Sequence, residues 1–263
     1  MALEGVDYSY DRPDPAKLVS AGKHFACRYL SDEPVKNLTR AEADAGAKAG
    51  LWWVVVWEAG HGQTTPSAQW CAAESVKQAK SVGVPAGRPI YFAVDFDAQS
   101  SQFNAIEDFL LEYAAHLSPY VAGMYGGEAV VTEMLDRGVT DWAWQTYAWS
   151  DTRDPRAKLW QYSNNVQLVG ANVDLDRAYA DDYGQWRPGV LPDIDEMDET
   201  DTEKIADAVL DRMRTDKIVS YNKTDAGSGK ETQVKGSITD ALGASATYTG
   251  RAAYRMTRVD NAT

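Results

Sequence analysis

Along the first 188 residues, short apolar runs alternate with segments whose apolar residues recur every three or four positions. Residues 51–57 (LWWVVVW) form the plainest run, leading into Glu58. Residues 89–98 (PIYFAVDFDA) follow a turn-like 83–87 and predict a strand over 90–94. Such runs, rich in β-branched and aromatic residues and bounded by turn signals, read as strands buried on both faces. Shorter strands are expected over 5–9, 24–30, 121–125, 142–147, 158–162 and 172–176. Helices are expected over 15–21, over 39–49 with Thr39 and Glu42 as a capping box and Gly50 as the stop, and over 67–82, 102–117 and 128–137. Strands separated by helices predict a parallel sheet, and eight of them an α/β fold of the (β/α)8, TIM-like barrel type. The late helices are short or missing, so the second half should be irregular.

After residue 188 the pattern changes. All nine tryptophans and all five phenylalanines precede that point, and residues 193–203 (DIDEMDETDTE) carry seven acids and no base. This predicts three parts: a barrel over 1–188, an acidic linker over 189–203, and a small helix/β appendage over 204–263. A helix over 202–214, with a narrow stripe of Ile205, Ala208, Val209 and Met213, suits packing on a partner helix or a barrel face. A strand is expected over 218–221, a turn over 225–230, and a half-buried strand over 247–259, where polar and apolar residues alternate. So little apolar mass would not hold a core alone, which points to docking or self-association through 204–263.

The formal net charge of −13 argues against nucleic acid, whose phosphates require a basic surface. No apolar run approaches membrane-spanning length, and the first residues, MALEGVDYSYDRP, show no secretory signal pattern. Cys27 and Cys71 form no framework and read as buried thiols. His24, His61 and His116 fall in no metal-binding or triad pattern. No cofactor is expected.

Acids recur where the expected strands end: Asp7 on the first, Glu58 on the third, Asp95 and Asp97 on the fourth, Asp174 and Asp176 on the eighth. Strand ends of one parallel barrel converge on a single mouth, which would gather these carboxyls. Glycoside hydrolysis needs such a cluster, with one carboxyl protonating the leaving oxygen and another serving as base, nucleophile or stabiliser. An acid cluster could instead bind Mg²⁺ or Ca²⁺, a reading disfavoured because no metal-binding loop pattern accompanies it. Aromatic residues lie beside the same ends: Tyr8, Trp57, Tyr125, Trp144, Tyr147, Trp160 and Tyr162. Some should fill the barrel and others should offer flat faces to sugar rings. Gln145 and Gln161, each after a tryptophan, are costly in a dry core, so substrate hydrogen bonding is weighed at least equally with a structural role.

The motifs GVDYS, IYFAVDFDA, WQTY, LWQYS and NVDLDRAY, in this order, resemble a glycoside-hydrolase-like TIM-barrel family. That family, long described as a domain of unknown function, occurs in actinobacterial secreted proteins and phage lysins. It is similar to the family 25 lysozymes. The resemblance places Asp7, Asp95 and Asp174 at the lysozymes' three aspartate positions. Asp97 stands at their catalytic glutamate, one methylene shorter. It implies a cell-wall glycan ligand, with three options for the chemistry: Asp97 as general acid, Glu58 in its place, or binding without cleavage. The function expected on this basis is a phage-associated peptidoglycan glycosidase, with Asp95 stabilising the transition state or orienting an acetamido group. The rival readings are a tail-tip structural protein docked to other virion subunits and a glycan-binding pseudoenzyme. The expected setting is a phage tail, or release at the host cell wall.

Overall fold

Eight strands close into a barrel in the computed structural model, in the order in which they occur along the chain. The structure describes residues 2–60, 67–189, 219–224 and 231–236. The strands are β1 (Leu3–Asp7), β2 (Phe25–Ser31), β3 (Trp52–Glu58), β4 (Pro89–Ala93), β5 (Val121–Gly126), β6 (Ala143–Thr146), β7 (Leu159–Leu168) and β8 (Ala171–Ala178). Five helices cover the first part: α1 (Pro15–Ser20), α2 (Arg40–Ala49), α3 (Ala68–Val82), α4 (Phe103–Ala115) and α5 (Glu128–Asp136). The expected α/β barrel with an irregular second half is what forms. None of the helices among the described residues is long and apolar enough to cross a membrane.

One expectation needs correcting. Strands β1 to β7 pair in parallel, but β8 runs antiparallel to both β7 and β1. No helix separates β7 from β8. Val169 (φ 49°) and Gly170 (φ 88°) form a two-residue turn with both central residues left-handed, the geometry that suits a tight hairpin. A strand that returns through a hairpin can only be antiparallel.

Strand alternation sorts the side chains into two layers. Phe25, Cys27, Val54, Val56, Tyr91, Ala93, Tyr125, Trp144 and Leu159 fill the lumen. Val6, Leu30, Trp53, Val55, Ile90, Phe92 and Met124 face outward, against helix residues such as Leu18, Cys71, Ile106 and Leu110. Both cysteines are free and buried. Thr39 caps α2 as expected, accepting from the Glu42 N–H (3.2 Å), and Ser67 caps α3, accepting from the Trp70 N–H (3.2 Å). The Glu42 carboxylate does not complete a capping box. It binds the buried Arg28 guanidinium (2.8 Å), which also donates to the Tyr8 carbonyl, and it pairs with Arg12. A buried guanidinium without a carboxylate would be far costlier than one open cap position.

The chain divides into two compact units, Met1–Met197 and Asp198–Thr263. In the second, β9 (Val219–Thr224) pairs antiparallel with β10 (Glu231–Gly236). The expected strand over 218–221 falls on β9, and β10 had no counterpart in the sequence pattern. The acidic run over 193–203, the helix over 202–214, the turn over 225–230 and the strand over 247–259 lie outside the described residues.

Candidate active site

Asp7 is the last residue of β1, and its side chain points into the lumen because the outward positions on either side belong to Val6 and Tyr8. Register places Asp174 of β8 directly opposite Asp7, and Asp176 one layer deeper, opposite both Gly5 and Gln161. Gln161 of β7 ties the group together. Its Nε2 donates to Asp7 Oδ2 (2.8 Å) and Asp174 Oδ2 (3.3 Å). Its Oε1 accepts from Tyr125 Oη (3.1 Å) and Thr146 Oγ1 (2.7 Å), so the amide cannot turn over without losing both. An irregularity in the β7–β8 pairing between Gln161 and Val166 brings Asn165 in from the bulge, and its N–H donates to Asp174 Oδ1 (2.8 Å).

Asp176 is fully buried. Its Oδ1 accepts from Trp144 Nε1 (2.9 Å), while Oδ2 has no hydrogen-bond partner as a carboxylate. No lysine or arginine pairs with Asp7, Asp174 or Asp176 among the described residues. Burial, then the Asp7 charge, pushes Asp176 well above the usual carboxylate range. Burial and the Asp174 charge raise Asp7 to about 7. The arrangement is satisfied when Asp176 carries a proton and its O–H donates to Asp7, which supplies the missing partner.

Across the lumen the electrostatics are opposite. Glu58, the last residue of β3, is buried, and its Oε1 accepts from Lys36 Nζ at 2.9 Å. Lys36, itself buried, also pairs with Glu33 (3.0 Å) and lies over the Tyr10 and Tyr29 rings. Burial alone would lower the Lys36 pKa; the two carboxylates outweigh it and hold the ammonium well above its ordinary value. Asp95 follows β4 by two residues and reaches solvent at the mouth. The barrel wall still desolvates its carboxyl, and that, with the Glu58 charge, raises its pKa against the pull of Lys36. Glu58 and Asp95 line one opening with Tyr29, Val56, Ala93, Tyr125 and Trp144; its free volume is about 10 Å³, room for roughly one water.

The structure therefore brings together Asp7, Glu58, Asp95, Asp174, Asp176, Gln161, Tyr125 and Trp144. Asp176 is corrected in one respect: being fully buried and spent on Trp144 and Asp7, it is not open to substrate. The antiparallel course of β8 puts it below the mouth rather than at a strand end.

Asp97 lies elsewhere. Strand β4 ends at Ala93 and the chain bends at Phe96, so alternation is broken and Asp97 is exposed on the departing loop. Tyr8, Trp57, Gln145 and Trp160 are also corrected, because each neighbours a lumen-facing residue in sequence and so points the other way. Tyr8 donates to Glu42 Oε1 (3.2 Å) beneath Arg28. Trp57 packs edge-on to Trp70 of α3, and Gln145 anchors the loop after β6 through the Thr152 carbonyl (2.7 Å) and the Asp154 N–H (2.8 Å). Trp160 lies between the inward Leu159 and Gln161. Tyr162 bonds Glu4 on the same outer side (2.6 Å).

Sequence reasoning missed Tyr29, Thr146, Asn165 and Lys36. The first two share the inward parity of their strands and could have been found by it. Lys36 sits in a loop with no periodic signal. Among the described residues no group of His, Cys, Asp or Glu is arranged to hold a metal ion.

A model of the Rv2525c-like, glycoside hydrolase-like domain matches residues 16–180 of the chain. Among solved structures, the Mycobacterium tuberculosis Tat-secreted protein Rv2525c, in complex with L-tartrate, is 22% identical over 70% of this chain and 98% of its own, with a TM-score of 0.65. An uncharacterised B. stearothermophilus protein is 20% identical over 67% of this chain and 95% of its own, with a TM-score of 0.50. The modular autolysin LytC from Streptococcus pneumoniae, bound to a synthetic peptidoglycan ligand, is 14% identical over 68% of this chain and 47% of its own (TM-score 0.53). At such identities the likeness is one of fold. No curated protein matches the chain.

Proposed function

The chain belongs to the Rv2525c-like, glycoside hydrolase-like domain family, and from that premise we propose that its barrel hydrolyses the glycan of the bacterial cell wall. The observation that carries this reading is the pair Glu58 and Asp95. Two carboxyls from adjacent strands line one opening in contrasting environments, Glu58 paired with a buried ammonium and Asp95 desolvated and raised. Environments that drive two carboxyls apart divide the labour of glycoside hydrolysis. Asp95, whose pKa burial and the Glu58 charge raise, delivers a proton to the glycosidic oxygen. Glu58, held by the Lys36 ammonium, faces the positive charge that develops at the anomeric carbon, to which water then adds. Asp7, Asp174 and Gln161 form a rigid floor beneath the two, tied together by their own hydrogen bonds. Asp97, at the rim, meets the substrate outside the opening. The fold shared with LytC, whose structure holds a synthetic peptidoglycan ligand, supports this substrate class.

The finer setting of this proposal is a phage tail, with the acidic, tryptophan-free segment after residue 189 docking the barrel to other subunits. The test of activity is reducing-sugar release from purified peptidoglycan. Wild type should release sugar, and Asp95→Asn and Glu58→Gln should each lower kcat by about 10²-fold or more. Asp97→Asn should raise KM with a smaller effect on kcat. Binding to the wall without any release by wild type would make the barrel a glycan-binding module and overturn the hydrolase.

A further inference from the structure

The opening between Glu58 and Asp95 admits little more than a water, so a sugar chain must lie across the mouth and rest on the surrounding rim. On the β4 to β6 side that rim holds a groove of about 800 Å³, a volume typical of ligand sites. Its walls come from the start of α4, the first turns of α5 and the loop after β6. All three segments follow the C-terminal ends of strands, so the groove opens on the face that carries Asp7, Glu58 and Asp95. We propose that this groove is a second subsite of the same glycan, binding a neutral N-acetylhexosamine ring several residues along the chain from the bond cleaved. This rests on the glycan reading above.

Trp149 is the centre of the site. Its side chain is 44% exposed, and its backbone is left-handed at φ 55°, a conformation that costs a bulky residue on the order of 1–2 kcal/mol. The loop is nonetheless firmly held. Glu128 accepts from the N–H groups of Asp151 (2.8 Å) and Thr152 (2.7 Å) and from Thr152 Oγ1 (2.5 Å). Ser150 Oγ donates to the Thr146 carbonyl (2.6 Å), and Gln145 secures the loop from beneath. Gly127 leaves the space this needs, since a Cβ there would stand 3.2 Å from both the Cβ and the carbonyl oxygen of Trp149. The fold thus fixes an indole where it meets solvent, beside Tyr147 and Phe103.

An aromatic face of this kind suits the apolar C–H side of a pyranose ring, and the hydroxyl and carboxylate groups of Thr132, Glu133 and Asp151 at the edge can bind its hydroxyls. Charge narrows the class of ligand. The groove is lined by three acids and no base, which disfavours a phosphate-bearing polymer and suits a neutral sugar.

The test uses the full chain and β-1,4-linked N-acetylglucosamine oligomers of two to six units as probes. Affinity is measured by calorimetry, and the Trp149 indole N–H is followed by NMR. Wild type should bind the hexamer more tightly than the trimer, with the Trp149 resonance shifted by the hexamer. Trp149→Ala should lose about 10- to 100-fold in hexamer affinity with trimer affinity unchanged, and Trp149→Phe should restore most of it. Equal hexamer affinity in wild type and Trp149→Ala, or an unmoved indole resonance with every oligomer, overturns the subsite. The two readings fail separately. Hexamer binding at Trp149 without peptidoglycan hydrolysis keeps the subsite and removes the hydrolase; hydrolysis with no effect of Trp149→Ala does the reverse.

Discussion

Asp176 is an acid built into the barrel where burial and the Asp7 charge favour its protonated form. Between pH 4 and 7 the native Asp7–Asp176 pair binds more protons than the unfolded chain, because the ordinary aspartate value of 3.8 rises to about 7 for Asp7 and burial also pushes Asp176 well above that ordinary value. Stability from the pair is therefore full below about pH 4 and is lost as pH rises through about 7. Asparagine can replace the neutral acid, accepting from Trp144 and donating to Asp7. Asp176→Asn should cost little stability at pH 7 and flatten the decline between pH 4 and 7, as read from urea midpoints. Asp176→Ala strands the Trp144 N–H and should cost about 1–3 kcal/mol. At this scale the chemical types were legible and several of the directions were not. Asp7 and Tyr8, or Trp57 and Glu58, cannot both face one lumen, since adjacent strand residues point to opposite sides. Lys36 was invisible because its partner lies 22 positions along the chain.

Elements were legible where local signals agreed. Strands β2 to β5 and helices α2 to α5 lie within a few residues of their expected positions, because apolar period, caps and glycine stops coincide. The hairpin between β7 and β8 was read as two independent strands, since Val169 gives no turn signal of its own. Packing between elements can outweigh propensity within them. Gly46 on α2 touches the buried Trp53 of β3, where a Cβ would stand 2.2 Å from the indole ring. That ring is pinned by its N–H to the Ala43 carbonyl (3.1 Å) and cannot shift freely. Gly46→Ala should therefore destabilise by about 1–3 kcal/mol, although alanine favours a helix by about 1 kcal/mol over glycine. Chemical denaturation gives the sign directly.

For the whole molecule, the barrel closes within residues 2–189: β8 seals β7 to β1, and Trp53 and Trp186 exchange backbone hydrogen bonds (2.9 Å each). A chain ending at Gly189 should melt within about 5 °C of the full chain in calorimetry. If residues 204–263 carry docking or self-association, sedimentation should show the full chain in larger species and the shortened one as a monomer. Equal sedimentation states, after allowance for mass, would place assembly elsewhere.

Read along the chain alone, the residues specify the barrel, the acids at its strand ends and the change of composition after residue 188. Each is written in local runs: strand apolarity, acids at strand ends, and the loss of tryptophan and phenylalanine beyond that point. What each carboxyl meets is set only in the folded barrel. That depends on burial and on partners brought from other strands and loops: Trp144 for Asp176, Lys36 for Glu58, Gln161 for Asp7 and Asp174. Protonation is a property of the space around a side chain, and that space exists only once the barrel has closed.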